Sequence, residues 1–310
     1  MNGILRVRRA GFTIVEVLVV ITIIGVLMAL VIPAAQSARE AARRSDCAGK
    51  VKQLALACHL FHNAEGRFPP GQCGGEFKFG ADSRCWSWLA RILPYIEQES
   101  LYRHGGIPNS TFRQSTAPPV QMSLFLCPSD PFSQTGPRTD AGNFAEIHMP
   151  LGQTNYKAVS GANWGADETQ HMEYIETLWR NKGTNGSYDG QAHGDGTMWR
   201  NDIGYRITFA KVKDGLSYTF LVGEDLPERN KWCSWPYSTH AYGTCAIPPN
   251  YTYSDPNRWE NTLSFRSAHP GGLNFALGDQ STHFVSDGIA LEVYRAWATR
   301  AGNEGVEVLK

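Results

Sequence analysis

From Phe12 to Ile32 the chain runs 21 residues that are apolar except at Thr13, Glu16, Thr22 and Gly25. At about 1.5 Å of rise per residue, a helix of this length crosses the roughly 30 Å hydrocarbon layer of a bilayer. Pro33 follows at once. It removes the hydrogen bond to the Ala29 carbonyl, which predicts a kink or local melting there. Beyond it, Ala34 to Asn63 is rich in Ala, Arg, Lys, Gln and Leu, and the helix is expected to resume. Cys47, Val51, Leu54, Cys58 and Phe61 recur at spacings of 4, 3, 4 and 3, one apolar stripe facing a packed body. "GRFPPG" (66–71) ends the helix through its glycine and paired prolines.

After this the pattern breaks into short runs between turn signals. "SWLARILPYIEQESLY" (87–102) reads as a short helix interrupted at Pro94, and "VQMSLFLCPSDP" (120–131) as an apolar strand ending in a turn. "YRITFAKVKDGLSYTFLVGE" (205–224) reads either as two strands around Asp214-Gly215 or as a short helix and then a strand. "GLNFALGDQSTHFVSDGI" (272–289) is the clearest hairpin, two alternating apolar strands about Gly278-Asp279.

Composition sharpens the picture. With 310 residues, 31 glycines, 17 prolines and nine tryptophans, the region after Pro33 looks like a loop-rich, β-containing extracytoplasmic body. The 29 basic and 29 acidic residues cancel, so no global field points to nucleic acid as a partner. Arg6, Arg8 and Arg9 precede the apolar run, which keeps that end cytoplasmic and sends the rest of the chain outward. A cleavable secretory signal would have an apolar region of only about 7–15 residues and no acid in it. Glu16 also argues against a plain anchor, because a carboxyl group about one turn into lipid costs on the order of a few kcal/mol unless neutralised or paired.

The seven cysteines fit an oxidising compartment, and the odd count leaves at least one outside any internal set. Cys73–Cys85 and Cys233–Cys245 each enclose 11 residues, and no Cys-x-x-Cys occurs. Two disulfides are therefore expected, each restricting its loop by about 2–4 kcal/mol. Cys47 and Cys58 lie about 16 Å apart along the helix and cannot bridge each other. Either could pair with Cys127.

Gly11-Phe12-Thr13-Ile14-Val15-Glu16 after a basic leader resembles the prepilin signal of type IV pilins and type II secretion pseudopilins. The resemblance implies that a prepilin peptidase cuts between Gly11 and Phe12 and methylates the new amino group of Phe12. It implies that Glu16, the fifth residue of the mature chain, pairs with the Phe12 ammonium of a neighbouring subunit in a filament. Pro33, mature position 22, falls where many such pilins carry a helix-bending proline.

"CAGKVKQLALACHLFHNAEGRFPPG", "FLCPSDP", "VKDGLSYTFLVGE" and "AHPGGLNFALGDQSTHFVSDGI" resemble, in order, the hallmarks of a pilin-like family known as domain of unknown function 1559, abundant in planctomycetes. Its motif here includes His269, Gly271, Gly272, Asn274 and Asp279. The family implies an α+β, pilin-like fold: a long N-terminal helix, half transmembrane and half amphipathic, packed on an antiparallel sheet with long loop insertions. The segments are then a leader (1–11), a transmembrane helix (12–35), its amphipathic continuation (36–64) and an extracytoplasmic globular domain (65–310). The family's helix commonly has one cysteine, at the position of Cys47. That favours Cys47–Cys127 and makes Cys58 the odd, buried thiol.

Other candidate chemistry is weaker. His59 and His62 could be two arms of a metal site, but no third ligand is identifiable by spacing, so no metal site is assigned. His269, His283 and Asp279 could suggest a catalytic cluster, yet turn chemistry accounts for Asp279 and strand exposure for His283. Asp189, Asp195 and Asp202 lie in a glycine-rich loop whose spacing misses the calcium-loop pattern, so calcium is a minor expectation and no cofactor is assigned. "WCSWPYSTHAYGTC" (232–245) is a binding platform if exposed and a stapled aromatic minicore if buried; the second is expected. No nucleophile elbow, Walker sequence or dinucleotide fingerprint occurs, and no catalytic residue is assigned.

The reading is a non-enzymatic pilin-like or pseudopilin subunit, single-pass in the inner membrane, with its N-terminus cytoplasmic and its body extracytoplasmic or in a surface filament. Its expected partners are prepilin peptidase, other pilin or pseudopilin subunits, an inner-membrane assembly platform and the lipid bilayer. The alternative is a membrane-tethered module that binds a glycan or protein and does not polymerise.

Overall fold

The computed structural model of the protein describes residues 13–162, 194–251, 255, 261–262 and 264–302. The chain divides into two compact units, Met1–Arg43 and Arg44–Lys310. One helix, α1 (Ile14–Glu65), contributes to both. Its first part is dense in β-branched Val and Ile, poor helix formers in water. In lipid the backbone can satisfy its polar groups only within the segment, which selects helix regardless of propensity. The helix runs through Pro33 without a break, so local melting does not occur there. One absent N–H is insufficient to end a helix whose flanking turns stay bonded. α1 stops at Gly66, which has a φ of 68° and donates its N–H to the His62 carbonyl at 2.7 Å, a left-handed cap that glycine adopts without strain.

In the second unit the expected stripe is buried: Cys47, Val51, Leu54, Cys58 and Phe61, joined by Ala55 and Ala57. It packs with one face of a five-stranded sheet made of β1 (Tyr156–Val159), β2 (Phe220–Glu224), β3 (Tyr242–Gly243), β4 (Gly272–Leu277) and β5 (Thr282–Ser286), in the order β3-β1-β2-β4-β5. The sheet is mixed, not purely antiparallel, because the two-residue β3, which ends a long loop, joins β1 in parallel.

Strand alternation sorts the two faces. Tyr156, Ala158, Val222 and Ala276 join the α1 stripe in a core that includes Trp86, Trp88 and Trp235. Leu273, Phe275 and Leu277 face the other way, onto Tyr294 of the C-terminal helix Leu291–Ala296 and onto Trp297 just after it.

Between these elements lie short turns. Residues 87–102 form α2 (Trp88–Arg91), a 3-10 turn holding Pro94 (Leu93–Ile96) and the start of α3 (Glu99–His104). Residues 205–224 take the second expected form, with 3-10 turns at Phe209–Lys211 and Leu216–Tyr218 before β2. The hairpin at 272–289 is β4–β5. Residues 120–131 are not a strand: Ser123–Phe125 is a 3-10 turn that buries Phe125, whose carbonyl accepts the Asn155 N–H at 2.8 Å.

Candidate functional site

Two places carry chemistry. The first is the start of α1. Thr13 donates its N–H and its hydroxyl to Glu16 Oε2, both at 2.8 Å, while the Glu16 N–H reaches Thr13 Oγ1 at 3.2 Å. This is a reciprocal capping box, Thr-x-x-Glu, at the end of the helix where backbone N–H groups lack partners. In the isolated chain the carboxylate therefore has donors of its own. Gly11 and Phe12 lie outside the described residues. From Ile14 to Ile32 the large apolar side chains are exposed in the isolated chain, and α1 is long and apolar enough to cross a membrane.

The second place is buried under α1. Cys47 on α1, Cys127 in the turn after Phe125, Glu224 at the end of β2 and His269 just before β4 converge, their ligand atoms all within 4.8 Å of one another. His269 Nε2 lies 3.6 Å from Cys127 Sγ and 3.6 Å from Glu224 Oε1. Each element is held in place. Lys50 on α1 donates to the Leu126 carbonyl at 3.0 Å, and Asn155 Oδ1 accepts the Cys127 N–H at 2.9 Å. Glu224 stands opposite Tyr156 in the β1–β2 register, and from β4 Asn274 donates its N–H to Oε2 at 2.8 Å and its amide to Oε1 at 2.9 Å. Tyr156, Glu224 and Asn274 thus form a row across three strands, facing α1.

The Cys47 pKa is pulled down to about 6, chiefly by the hydrogen bond from Cys127 and further by His269 and Tyr156, against burial. Cys127 is pushed up by the same bond, then by burial and the Glu224 charge.

Comparison with known proteins bears on both places. The family described as protein of unknown function (DUF1559) matches residues 36–292. The chain belongs to the DUF1559 family. Residues 6–32 match the prokaryotic N-terminal methylation motif. The chain is also similar to the type II secretion system core protein G of Pseudomonas aeruginosa, 34% identical over 71 residues, which are 23% of this chain and 50% of that protein. The chain therefore spans about half the length of that curated relative. No solved structure matches. This DUF1559 chain is a pilin-like protein with a membrane-anchoring N-terminal helix.

The family residues divide by job. His269 and Asn274 both meet Glu224. Gly271 has a φ of 83°, and a Cβ on Gly272 would strike the Val285 carbonyl oxygen. Asp279 fixes the hairpin turn by accepting from Ser281, N–H at 2.9 Å and hydroxyl at 2.6 Å. His283 packs its ring 5.9 Å from Trp297, on the sheet face away from α1. His269, Asp279 and His283 do not form a cluster.

All seven cysteines are free thiols in the structure. Cys73 and Cys85 sit side by side: the Cys85 thiol hydrogen-bonds Cys73, whose pKa is lowered overall although burial opposes it, and Cys85 itself is raised, first by burial. The Cys233–Cys245 bridge is a correction. The Cys233 carbonyl binds Thr154 N–H and the Cys245 N–H binds the Gly161 carbonyl, at opposite ends of the extended run through β1. The four residues of β1 and the flanking chain from Thr154 to Gly161 span up to roughly 23 Å if extended, whereas a disulfide needs Cα atoms roughly 4.4–6.8 Å apart. Trp235, Tyr237 and Tyr242 of that loop are buried, so it is an aromatic minicore without the staple. Cys58 is fully buried and its thiol is pushed up by desolvation, which suits a small core hydrophobe.

His59 and His62 are used in packing. His59 Nε2 meets the Gly278 carbonyl at 2.6 Å, and His62 stacks on Phe209 at 3.5 Å while accepting its N–H at 3.2 Å. Asp202 accepts the Gly71 N–H at 2.6 Å and the Trp199 N–H at 3.3 Å, Asp195 accepts the Ala162 N–H at 3.0 Å, and Asp189 lies outside the described residues. Glu224 is the residue that sequence reasoning missed. Its signal was a lone acid closing the apolar run "FLV" at "GE".

Proposed function

We propose that the chain is a pilin-like subunit that a prepilin peptidase cleaves between Gly11 and Phe12 and methylates at Phe12, and that it then enters a type II secretion or type IV pilus-like filament through α1. The observation that carries this is α1 itself: an apolar segment whose large side chains are exposed among the described residues, lying within the match to the methylation motif. Lipid covers that surface in the membrane, and neighbouring copies of the same helix cover it in a fibre, so transfer between the two states leaves little apolar area in water.

In this reading the body is extracytoplasmic and the N-terminus cytoplasmic. An inner-membrane platform extracts the subunit, and its neighbours are other pilins or pseudopilins. Glu16 changes partner during assembly: in the lone chain Thr13 holds it, and in the filament it turns to the Phe12 ammonium of an adjacent subunit. An ion pair in low dielectric sets register, because misplaced copies leave the charges uncompensated.

The test is crosslinking between copies through engineered cysteines in α1, in cells. Wild type is expected to give a ladder of crosslinked subunits, and Glu16→Val to insert in the membrane without forming one. A full ladder from Glu16→Val would overturn the pairing, and no ladder from wild type would favour the tethered module.

A further inference from the structure

We infer that Cys47, Cys127, Glu224 and His269 form a structural zinc site that fastens α1 to the sheet. Two sulfurs, one imidazole nitrogen and one carboxylate oxygen are a donor set that suits zinc, and four ligands are what a closed structural site uses. The spacing agrees. With zinc bonds of about 2.0–2.3 Å, the edges of a tetrahedron measure about 3.3–3.8 Å. Both measured edges from His269 Nε2, to Cys127 Sγ and to Glu224 Oε1, are 3.6 Å. At that separation the nitrogen and the carboxylate oxygen are too far apart for a hydrogen bond with each other. They are spaced as neighbours around a common centre.

The surroundings are those of a built site. All four residues are buried, with at most 3% of their surface exposed. The Asn274 donations orient both oxygens of Glu224, leaving a lone pair free. The hydroxyl of Tyr156, a residue with no exposed surface, has no nitrogen or oxygen hydrogen-bond partner among the described residues and faces the Cys47 sulfur. A thiolate there would accept its proton, the kind of outer contact that tunes metal ligands. Binding would release the two thiol protons and leave Glu224 ionised and His269 neutral, so the bound ion meets three negative ligands and one neutral one.

The site would join residues far apart in sequence, 47 and 269 among them, across α1, a turn, the end of β2 and the segment before β4. It would therefore hold the pilin helix against the body while the helix is pulled from lipid.

The experiment uses the full chain extracted from membranes in mild detergent. Metal content and thiol state are measured on the protein as isolated. It is then stripped by chelator under reducing conditions and titrated with zinc, and separately with cobalt as a spectroscopic probe. One zinc per chain is expected, with tetrahedral cobalt bands and thiolate-to-cobalt charge transfer. Cys127→Ala and His269→Gln should abolish stoichiometric loading, Cys58→Ala should retain it, and Asn274→Ala should weaken affinity about 10- to 100-fold. Because a ligand variant can misfold, Asn274→Ala is also compared with wild type by circular dichroism. A Cys47–Cys127 disulfide in the isolated protein overturns the proposal, whether or not the reduced chain then takes zinc. So does a reduced chain that binds no metal.

Discussion

Glu16 does two physical jobs that one substitution cannot separate. Valine removes both the cap and the charge. Glutamine keeps a side-chain oxygen for the Thr13 donors, since Ser/Thr-x-x-Gln also closes a capping box, but loses the charge. If ion pairing drives assembly, Glu16→Gln should insert normally, keep the helical signal of wild type and still fail to form the crosslinked ladder. If it assembles like wild type, capping is the whole role of the residue. Asp202 offers a second test at this scale. Burial pushes its carboxyl up to about 7, although the Gly71 and Trp199 N–H groups oppose the rise. The folded state then binds the proton more tightly than the unfolded chain does. The stabilising contribution is complete below the unfolded value near 3.8 and is lost as pH rises through about 7. Between about pH 4 and pH 8 the wild type should lose on the order of a few kcal/mol relative to Asp202→Asn, which has no proton to lose. Urea unfolding at the two pH values checks this; parallel changes in both proteins would contradict it.

α1 shows how periodicity becomes energy. Leu54 is fully buried in the core that also holds Trp86, Trp88 and Trp235, whereas Leu56, two residues on, is 44% exposed. Leu54→Ala should destabilise the body by about 2–5 kcal/mol, the transfer loss plus the cavity it leaves. Leu56→Ala should stay within about 0.5 kcal/mol. Tryptophan fluorescence during denaturation reads both, and equal effects would mean that the stripe does not face the core. The stripe and the β4–β5 hairpin were legible because each is written in local spacing: a period near 3.6 in one and 2 in the other. Residues 120–131 have the apolar content of a strand, but their partner is the buried core under Phe125, and tertiary packing took them into a turn. The loop 232–245 had cysteines at a plausible separation. Its ends are bound at the two ends of the run through β1, which loop length alone could not reveal.

At the scale of the molecule, the N-terminal motif was readable because its parts are contiguous: arginines, Gly11, Phe12, Glu16, the span and Pro33. The buried cluster was not. Cys47, Cys127, Glu224 and His269 come from four separate segments, and only the tertiary fold brings them together. The sequence showed Cys47 and Cys127 as a pair and His269 as a motif residue, while Glu224 looked like the end of a strand. The reading of the whole chain rests on processing, because cleavage is what creates the amine that Glu16 would meet in a filament. Intact-mass and peptide mass spectrometry of the protein extracted from its native membrane tests this most directly. The account predicts a chain that begins at Phe12 with a methylated amino group; a chain that still carries Met1 and the arginine leader, or one that begins near Ala38, would contradict it.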